Sequence, residues 1–306
     1  MSTTWDTPRF KKLDISDREF FLGFFKGQRC FSDFHFTSLW VYNTDDTAEV
    51  ATINGNLVLK FHDYITGDPF YTFFGKEKVE DTIRILFELS KRNKMEPVLK
   101  LVPEDNFGEG LEEVSNKYKV ELDRDNFDYI FSISNLATLG GKDFETQRNM
   151  INRFRRRIGE HSTKVLDLGD STIQKKIMDL FNVWMHNKSG KGADAEHEAI
   201  AIRRMLDYSE HLPGLIALGV FLEEELLAFS VNEVVDSDVA IAHFRKCNIK
   251  YPGIFQLLEY ESAKELSRRG CKFLNYEQDL GIEGLRKAKD SWRPIEFLKK
   301  HTITEK

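Results

Sequence analysis

Cysteine is scarce in this chain. Its 306 residues include 3 Cys, namely Cys30, Cys247 and Cys271, and these stand far apart without a CxxC pair. Such spacing argues against a disulfide framework and against a structural zinc site. A reducing compartment is therefore expected, and no metal is expected among the cofactors.

Long apolar runs are also missing. Residues 1–12 lack the apolar segment of a signal peptide. The best apolar stretch, residues 212–222, is far shorter than the roughly 20 residues that span a bilayer. The sequence therefore predicts a cytoplasmic protein without integral membrane association.

Positive charge is not in excess. The chain has 44 Lys+Arg against 50 Asp+Glu, a formal net charge of -6, so any polyanion must meet a local basic patch. No P-loop and no GxGxxG occur, which leaves ATP hydrolysis and dinucleotide redox chemistry without support. The histidines, His243 among them, are scattered singly outside metal or triad motifs, and this predicts structural roles for most of them.

Apolar and aromatic residues are plentiful. Hydrophobic residues make up 41% of the chain and 25 residues are Phe, which is typical of folded cores. The length suits about two domains. A folded chain with two cores is expected.

The two halves predict the same order of elements. In the first half, Asn54-Gly55 between two β-like segments indicates a hairpin with a type I′ turn. The predicted elements there are strands 49–53, 57–62, 69–75 and 98–102, helix 77–92 before the last of these strands, then helix 113–118 and strand 129–133. The order is β-β-β-α-β.

The second half is predicted as strand 163–168, helix 172–186, a loop at 189–193, helix 196–210, strands 215–222, 226–234 and 239–246, helix 254–268 with Gly270 as its C-terminal cap, and strand 272–276. Its later part is again β-β-β-α-β. The fold class is therefore α+β, with two copies of one module at 1–140 and 161–306 joined by a basic linking helix at 141–160.

The linking helix concentrates positive charge. Ile151, Phe154 and Ile158 recur at helical spacing and would face inward, leaving the arginines outside. Guanidinium groups bind phosphates in bidentate fashion, so this face could hold a nucleotide, CoA or tRNA. The candidate anion-binding residues are Arg148, Asn152, Arg155 and Arg156. A solvated helix whose arginines pair with Asp and Glu of both modules remains open.

A second candidate site lies at residues 244–254, where a strand is followed by a loop and a helix start. Backbone amides at a helix N-terminus favour a pyrophosphate. The candidate cofactor-binding residues are Arg245, Lys246, Asn248, Lys250, Tyr251, Gly253 and Ile254. A simple tight connection explains a lone glycine at a helix start equally well.

A third candidate site follows the last strand of the second module. Glu277 and Asp279 are candidate general bases, while Arg286 and Lys289, spaced i, i+3 on a short helix, could stabilise an oxyanion. An ion-pair network that holds the C-terminal helix is the alternative.

Three segments resemble a known family. They are Asp33-Phe34-x-Phe36-Thr37-Ser38-Leu39-Trp40, Arg148-Asn149-x-Ile151-Asn152-x-Phe154, and Asn275-Tyr276-Glu277-Gln278-Asp279-Leu280-Gly281-Ile282-x-Gly284-Leu285-Arg286-x-Ala288-Lys289. Over nearly its whole length the chain resembles uncharacterised bacterial proteins grouped with the C-terminal domain of phosphatidylglycerol lysyltransferase. The resemblance implies a tandem acyl-CoA N-acyltransferase (GNAT-like) fold.

The resemblance also implies a function. It suggests an acyltransferase or aminoacyltransferase that moves an activated acyl group from CoA or aminoacyl-tRNA to an amine or hydroxyl acceptor, with acyl-CoA as a cofactor in the first case. Because no membrane anchor is predicted, the expected acceptor is a soluble small molecule or peptide rather than a lipid. The alternative is a non-catalytic GNAT-like module that binds an anionic metabolite or a partner protein at the linking helix.

Overall fold

A computed structural model of the chain describes residues 8–63, 65–187 and 193–306. The loop predicted at 189–193 lies outside these ranges except for its last residue, which begins a helix. None of the described helices is both long enough and apolar enough to cross a bilayer.

The first half contains the predicted β-β-β-α-β unit. Its elements are β1 (Lys11–Lys12), α1 (Arg18–Phe25), α2 (Phe36–Tyr42), β2 (Glu49–Ile53), β3 (Asn56–His62), β4 (Pro69–Phe74), α3 (Val79–Arg92), β5 (Val98–Pro103), α4 (Leu111–Lys117), β6 (Tyr118–Leu122), β7 (Asp128–Ser132), α5 (Ile133–Thr138) and α6 (Glu145–Ile158). Asn54 and Gly55 both have positive φ, 54° and 86°, as the predicted type I′ turn requires. Helices α1, α2 and α5 were not predicted.

The second half repeats the unit. Its elements are β8 (Ser162–Leu166), α7 (Ser171–Asn187), α8 (Ala193–Asp207), β9 (Leu215–Leu222), β10 (Glu225–Val234), β11 (Val239–Cys247), α9 (Ile254–Arg268), β12 (Phe273–Asn275), α10 (Glu283–Asp290), β13 (Glu296–Leu298) and β14 (Lys300–Glu305). Gly270 has a φ of 90° just after α9, which confirms the predicted glycine cap.

The strands form two mixed sheets. The order in the first sheet is β1-β2-β3-β4-β5-β14-β6, and in the second it is β13-β7-β12-β11-β10-β9-β8. In each sheet one described pair is parallel, β4 with β5 and β11 with β12, and it is joined by a crossover helix, α3 or α9. The α+β class with two related modules is confirmed.

The two sheets exchange strands. β14, at the end of the chain, lies between β5 and β6 in the first sheet, whereas β7, from the first half, lies between β12 and β13 in the second. The predicted ranges 1–140, 141–160 and 161–306 stay a prediction, but neither sheet is built from one of these ranges alone. Hydrogen bonding between strands therefore joins the halves.

An apolar core also joins the halves. One cluster of buried side chains includes Phe21, Phe34 and Phe74 from the first half with Ile177 and Phe229 from the second. Two further clusters fill the remaining space on the second and first sheets. The phenylalanines predicted to be core residues thus pack largely between the modules, which fixes the position of one module against the other.

The parallel pair β11 and β12 separates after a short contact. The two strands pair only from Val239 with Phe273 to Ile241 with Asn275. Beyond that point β11 continues to Cys247, while the backbone after Asn275 bonds to β7, through Tyr276 and Glu277 with Tyr129. Side chains of both modules meet where the pairing of β11 and β12 ends.

Candidate functional site

Three polar side chains meet where the pairing of β11 and β12 ends. Ser38 lies on α2 of the first module, His243 on β11, and Glu277 just after β12. Ser38 Oγ donates to Glu277 Oε1 at 3.1 Å and lies 3.4 Å from His243 Nδ1. His243 Nδ1 is 4.0 Å from Glu277 Oε1. The cluster therefore depends on the contact between the two modules.

Glu277 combines a strained backbone with a desolvated carboxyl group. Its φ is 55°, a left-handed conformation that is unusual for a residue of this type and often marks a functional position. Burial raises the pKa of Glu277, against the lowering effects of His243 and Lys289. The side chain remains 20% exposed. A carboxylate with a raised pKa and access to solvent is suited to accept a proton.

Lys289 holds the backbone on either side of Glu277. Its Nζ donates to the carbonyl oxygen of Tyr276 at 2.7 Å and to that of Gln278. The Lys289 side chain is buried, and this burial lowers the pKa of Lys289 to about 8. In the structure Lys289 therefore fixes the peptide that carries Glu277.

Asp279 belongs to a dense ion-pair network. Its Oδ2 accepts from Tyr129 Oη at 2.6 Å, from Arg124 at 3.1 Å and from Arg286 Nε at 2.9 Å. Although burial alone would raise it, hydrogen bonds from Arg286 and Tyr129 hold the pKa of Asp279 at about 2. Arg286 also donates to Asp125 at 2.6 Å. This arrangement matches the structural alternative, and the catalytic roles of Asp279 and Arg286 stay predictions.

Behind His243 lies a buried acidic residue that contacts a second histidine. His243 Nε2 is 3.0 Å from Glu233 Oε2, and His35 Nε2 is 3.9 Å from Glu233 Oε1. Although burial alone would raise it, the neighbouring His35 and His243 lower the pKa of Glu233. Burial lowers the pKa of His35 to about 4. Sequence reasoning missed Ser38, His35, Glu233 and His243 as site residues.

The residues of the predicted cofactor-binding loop are mostly engaged within the protein. Arg245 Nε lies 2.6 Å from Glu259 Oε1, and Lys246 donates to Glu198 at 2.6 Å. Asn248 accepts two backbone hydrogen bonds, from the amide of Lys250 at its Oδ1 and from the amide of Tyr251 at its carbonyl oxygen. The carbonyl oxygen of Tyr251 accepts a hydrogen bond from the amide of Ile254. These contacts suit a tight connection, and the cofactor role stays a prediction.

Gly253 is needed for the packing of two helices. A Cβ atom built on Gly253 would lie 2.1 Å from the carbonyl oxygen of Met150 on α6, and the φ of Gly253 is 94°. Helix α6 therefore covers the start of α9, the position where a pyrophosphate was expected. The contact between the two helices therefore explains why residue 253 is a glycine, and no bound ligand is needed to explain it.

The predicted anion-binding residues of α6 do not share one environment. Arg148 donates to the carbonyl oxygens of Gly141, at 2.6 Å, and Leu139, and so caps α5. Arg155 lies 3.5 Å from Glu261.

The rest of the α6 surface carries free positive charge. Asn152 and Arg156, two of the predicted anion-binding residues, are exposed. Arg153 and Arg157, which are not among the predicted residues, are also exposed. Arg153, Arg156 and Arg157 are spaced i, i+3, i+4 and thus share one face, and none of the three forms an ion pair within the part of the chain that the structure describes. The buried face with Ile151 and Phe154 is confirmed.

Comparisons with known proteins cover almost the whole chain. A family model described as "Phosphatidylglycerol lysyltransferase, C-terminal" matches residues 31–304. A conserved protein of unknown function from Bacteroides thetaiotaomicron is 26% identical, with 98% of this chain and 100% of that chain covered and a TM-score of 0.83. L-PGS from Bacillus licheniformis is 14% identical, with 96% and 93% covered and a TM-score of 0.61.

A third solved structure links the fold to a wider class. The tandem GNAT protein from the clavulanic acid biosynthesis pathway is 8% identical, with 97% and 98% of the two chains covered and a TM-score of 0.50. No curated protein sequence matches the chain. The predicted tandem GNAT-like fold is confirmed.

Proposed function

The chain belongs to the family of the phosphatidylglycerol lysyltransferase C-terminal domain, and on that premise we propose that it transfers an aminoacyl group from tRNA to an amine or hydroxyl acceptor. The observation that carries the proposal is Glu277, a desolvated carboxylate just beyond the end of the parallel pairing of β11 and β12, where residues of both modules meet.

The proposed reaction needs one proton acceptor and no covalent enzyme intermediate. The acceptor nitrogen or oxygen attacks the ester carbonyl carbon of the aminoacyl group, and its proton passes to Glu277. A tetrahedral oxyanion forms. Its collapse breaks the bond to the terminal ribose oxygen of tRNA, which takes the proton back from Glu277 and leaves, and the product is an amide or ester of the acceptor.

Within this reaction Ser38 and His243 are positioning residues. Ser38 donates to the carboxylate that accepts the proton, and His243 lies 3.4 Å behind that hydroxyl. Because Ser38 comes from the first module, the carboxylate is correctly oriented only when the two modules are packed together. Lys289 orients the same carboxylate through its backbone contacts.

The charge distribution favours tRNA over CoA as the donor. Arg153, Arg156 and Arg157 form an exposed basic face on α6, which suits an extended polyanion. By contrast, α6 covers the start of α9 at Gly253, where CoA phosphates were expected. These two features support the aminoacyl-tRNA donor.

The test offers the purified protein two donors in separate reactions. One contains a mixture of tRNAs charged with radiolabelled amino acids, the other radiolabelled acetyl-CoA. Each reaction is given a small-molecule extract or phosphatidylglycerol vesicles as acceptor. Label moving from tRNA into product supports the proposal. Label moving only from acetyl-CoA contradicts the donor, and transfer from neither favours the non-catalytic binding module.

Charge reversal on α6 tests the contact with tRNA. With Arg153, Arg156 and Arg157 all changed to Glu, tRNA binding should weaken and its dependence on salt concentration should become less steep, because fewer counterions are released. In the control variant, Lys91, Arg92 and Lys94, at and just after the exposed C-terminal end of α3, are all changed to Glu. Equal losses in both triple variants would contradict a specific role for α6.

A further inference from the structure

We propose that His35, Glu233 and His243 form a binding site for a divalent transition-metal ion, with Zn²⁺ as the best match. The candidate ligand atoms of the three residues all lie within 4.8 Å of one another, and all three side chains are buried. Two imidazoles and one carboxylate are a common donor set of catalytic zinc, which leaves a fourth position for water or substrate. The proposal does not depend on the aminoacyl donor.

The three ligands come from separate elements that are held by the core. His35 directly precedes α2, Glu233 lies on β10, and His243 lies on β11. Glu233 and His243 are already 3.0 Å apart, close to the separation of two ligands on one metal ion, whereas His35 Nε2 is 3.9 Å from the carboxylate. Only a small inward movement of His35 is needed to complete the set.

His35 provides an independent sign of a missing partner. Its side chain is only 9% exposed, yet neither ring nitrogen has a hydrogen-bond partner among the described residues. Buried polar nitrogens of this kind are rare because they lose hydration without compensation.

The surroundings of the cluster also suit a metal ion. His243 would bind through Nε2, which leaves Nδ1 facing Ser38 and Glu277, at 3.4 Å and 4.0 Å. Metal-bound histidines usually direct their second nitrogen at a carboxylate or hydroxyl in this way, which fixes the tautomer. The metal would therefore fix the orientation of the ring beside Glu277.

A cavity borders one of the three proposed ligands, His35. It has a volume of about 210 Å³, and His35 lines it together with apolar residues such as Phe21, Phe34 and Val239. One cation competes for the carboxylate, since Arg18 lies 3.9 Å from Glu233 Oε1. Arg18 also contacts Glu19 and the carbonyl of Pro213, so it keeps partners when a metal takes the carboxylate.

The test measures metal binding directly. After removal of bound metal by a chelator, the protein is titrated with Co²⁺ and then Zn²⁺. We expect about one Co²⁺ per chain, with the strong visible absorption of a four-coordinate ion, and displacement by Zn²⁺. Absence of binding, or the weak spectrum of an octahedral ion, would overturn the proposal.

Two variants separate this site from surface binding. His35→Phe removes a ligand whose ring makes no hydrogen bond to the described residues, and it should abolish the Co²⁺ absorption while the far-ultraviolet circular dichroism stays unchanged. His211→Phe, at an exposed histidine, should bind Co²⁺ like the unmodified protein. Equal binding by both variants would show that the ion sits elsewhere, and the unmodified protein's spectrum still decides the question should His35→Phe fail to fold.

Discussion

At the scale of single residues, the segment 275–289 contains two carboxylates with opposite environments. Glu277 faces a serine and a histidine, and burial raises its pKa. Asp279 is surrounded by arginines and a tyrosine that hold its pKa at about 2. Two carboxyl groups whose pKa values are pushed apart by their surroundings are suited to different tasks. We therefore propose that Glu277 transfers the proton, while Asp279 attaches α10 through Arg286.

Asp279→Asn tests the structural role. Since the pKa of Asp279 is lowered from 3.8 to about 2, its charge stabilises the fold above pH 3.8, and this stability is lost as the pH falls through about 2. Because the arginine partners are partly exposed to solvent, which weakens their attraction to Asp279, this contribution to the free energy of unfolding is on the order of 1 kcal/mol. Urea unfolding between pH 2 and pH 5, a range chosen around the two pKa values, should show a smaller pH dependence in the variant than in the unmodified protein. An unchanged dependence would exclude this role.

At the scale of elements, α6 does two things. Its buried face, with Ile151 and Phe154, packs against α9, and its exposed face carries three arginines that form no ion pair with the described residues. The contact with α9 is so close at Gly253 that no side chain fits there. Helix α6 thus connects the modules and also presents positive charge on an acidic chain.

Gly253→Ala tests this helix contact. The added Cβ would lie 2.1 Å from the carbonyl oxygen of Met150, at a φ of 94°, so we expect a loss of roughly 2 to 4 kcal/mol in the free energy of unfolding. Gly284→Ala is the matched control, because nothing lies within 4 Å of a Cβ on this residue of α10. That variant should gain about 0.5 to 1 kcal/mol. Chemical denaturation that finds similar values for both would contradict the contact.

The local elements could be predicted from the sequence because their signals are local. The Asn54-Gly55 turn, the alternating strands and the glycine after α9 each depend on neighbouring residues. The cluster around Glu277 depends on contacts between residues far apart, such as Ser38 with Glu277 and Glu233 with His35. No rule of sequence spacing relates residues that lie so far apart along the chain. The sequence therefore identifies Glu277 as a candidate base but not the residues that contact it.

At the scale of the whole molecule, the exchanged strands β7 and β14 make the modules interdependent. Lys300 on β14 is fully buried and donates to Asp33 and, at 2.7 Å, to Asp128 on β7. Asp128 also accepts from Ser32 and from Asn275 on β12. A single ionic cluster therefore ties both sheets to the N-terminal segment. We expect both modules to unfold in one transition.

Lys300→Met tests this interdependence. The variant removes the ammonium group that contacts both buried carboxylates, which should cost about 3 to 5 kcal/mol. Lys299→Met, at the neighbouring half-exposed residue, should change stability by less than about 0.5 kcal/mol. Calorimetry should show one transition in both, at a much lower temperature for Lys300→Met. Two separate transitions would show that the modules fold independently.

We propose that Glu277 accepts the proton in acyl transfer, and the rate of transfer in a single turnover distinguishes this role from a structural one. Glu277→Gln is compared with Glu283→Gln, an exposed glutamate on α10. We predict a loss of ~10²-fold or more for Glu277→Gln, at an unchanged free energy of unfolding, and no loss for Glu283→Gln. In the unmodified protein the rate should rise with pH through the raised pKa of Glu277, as its carboxyl group loses its proton. Equal transfer rates in the two variants would contradict the claim.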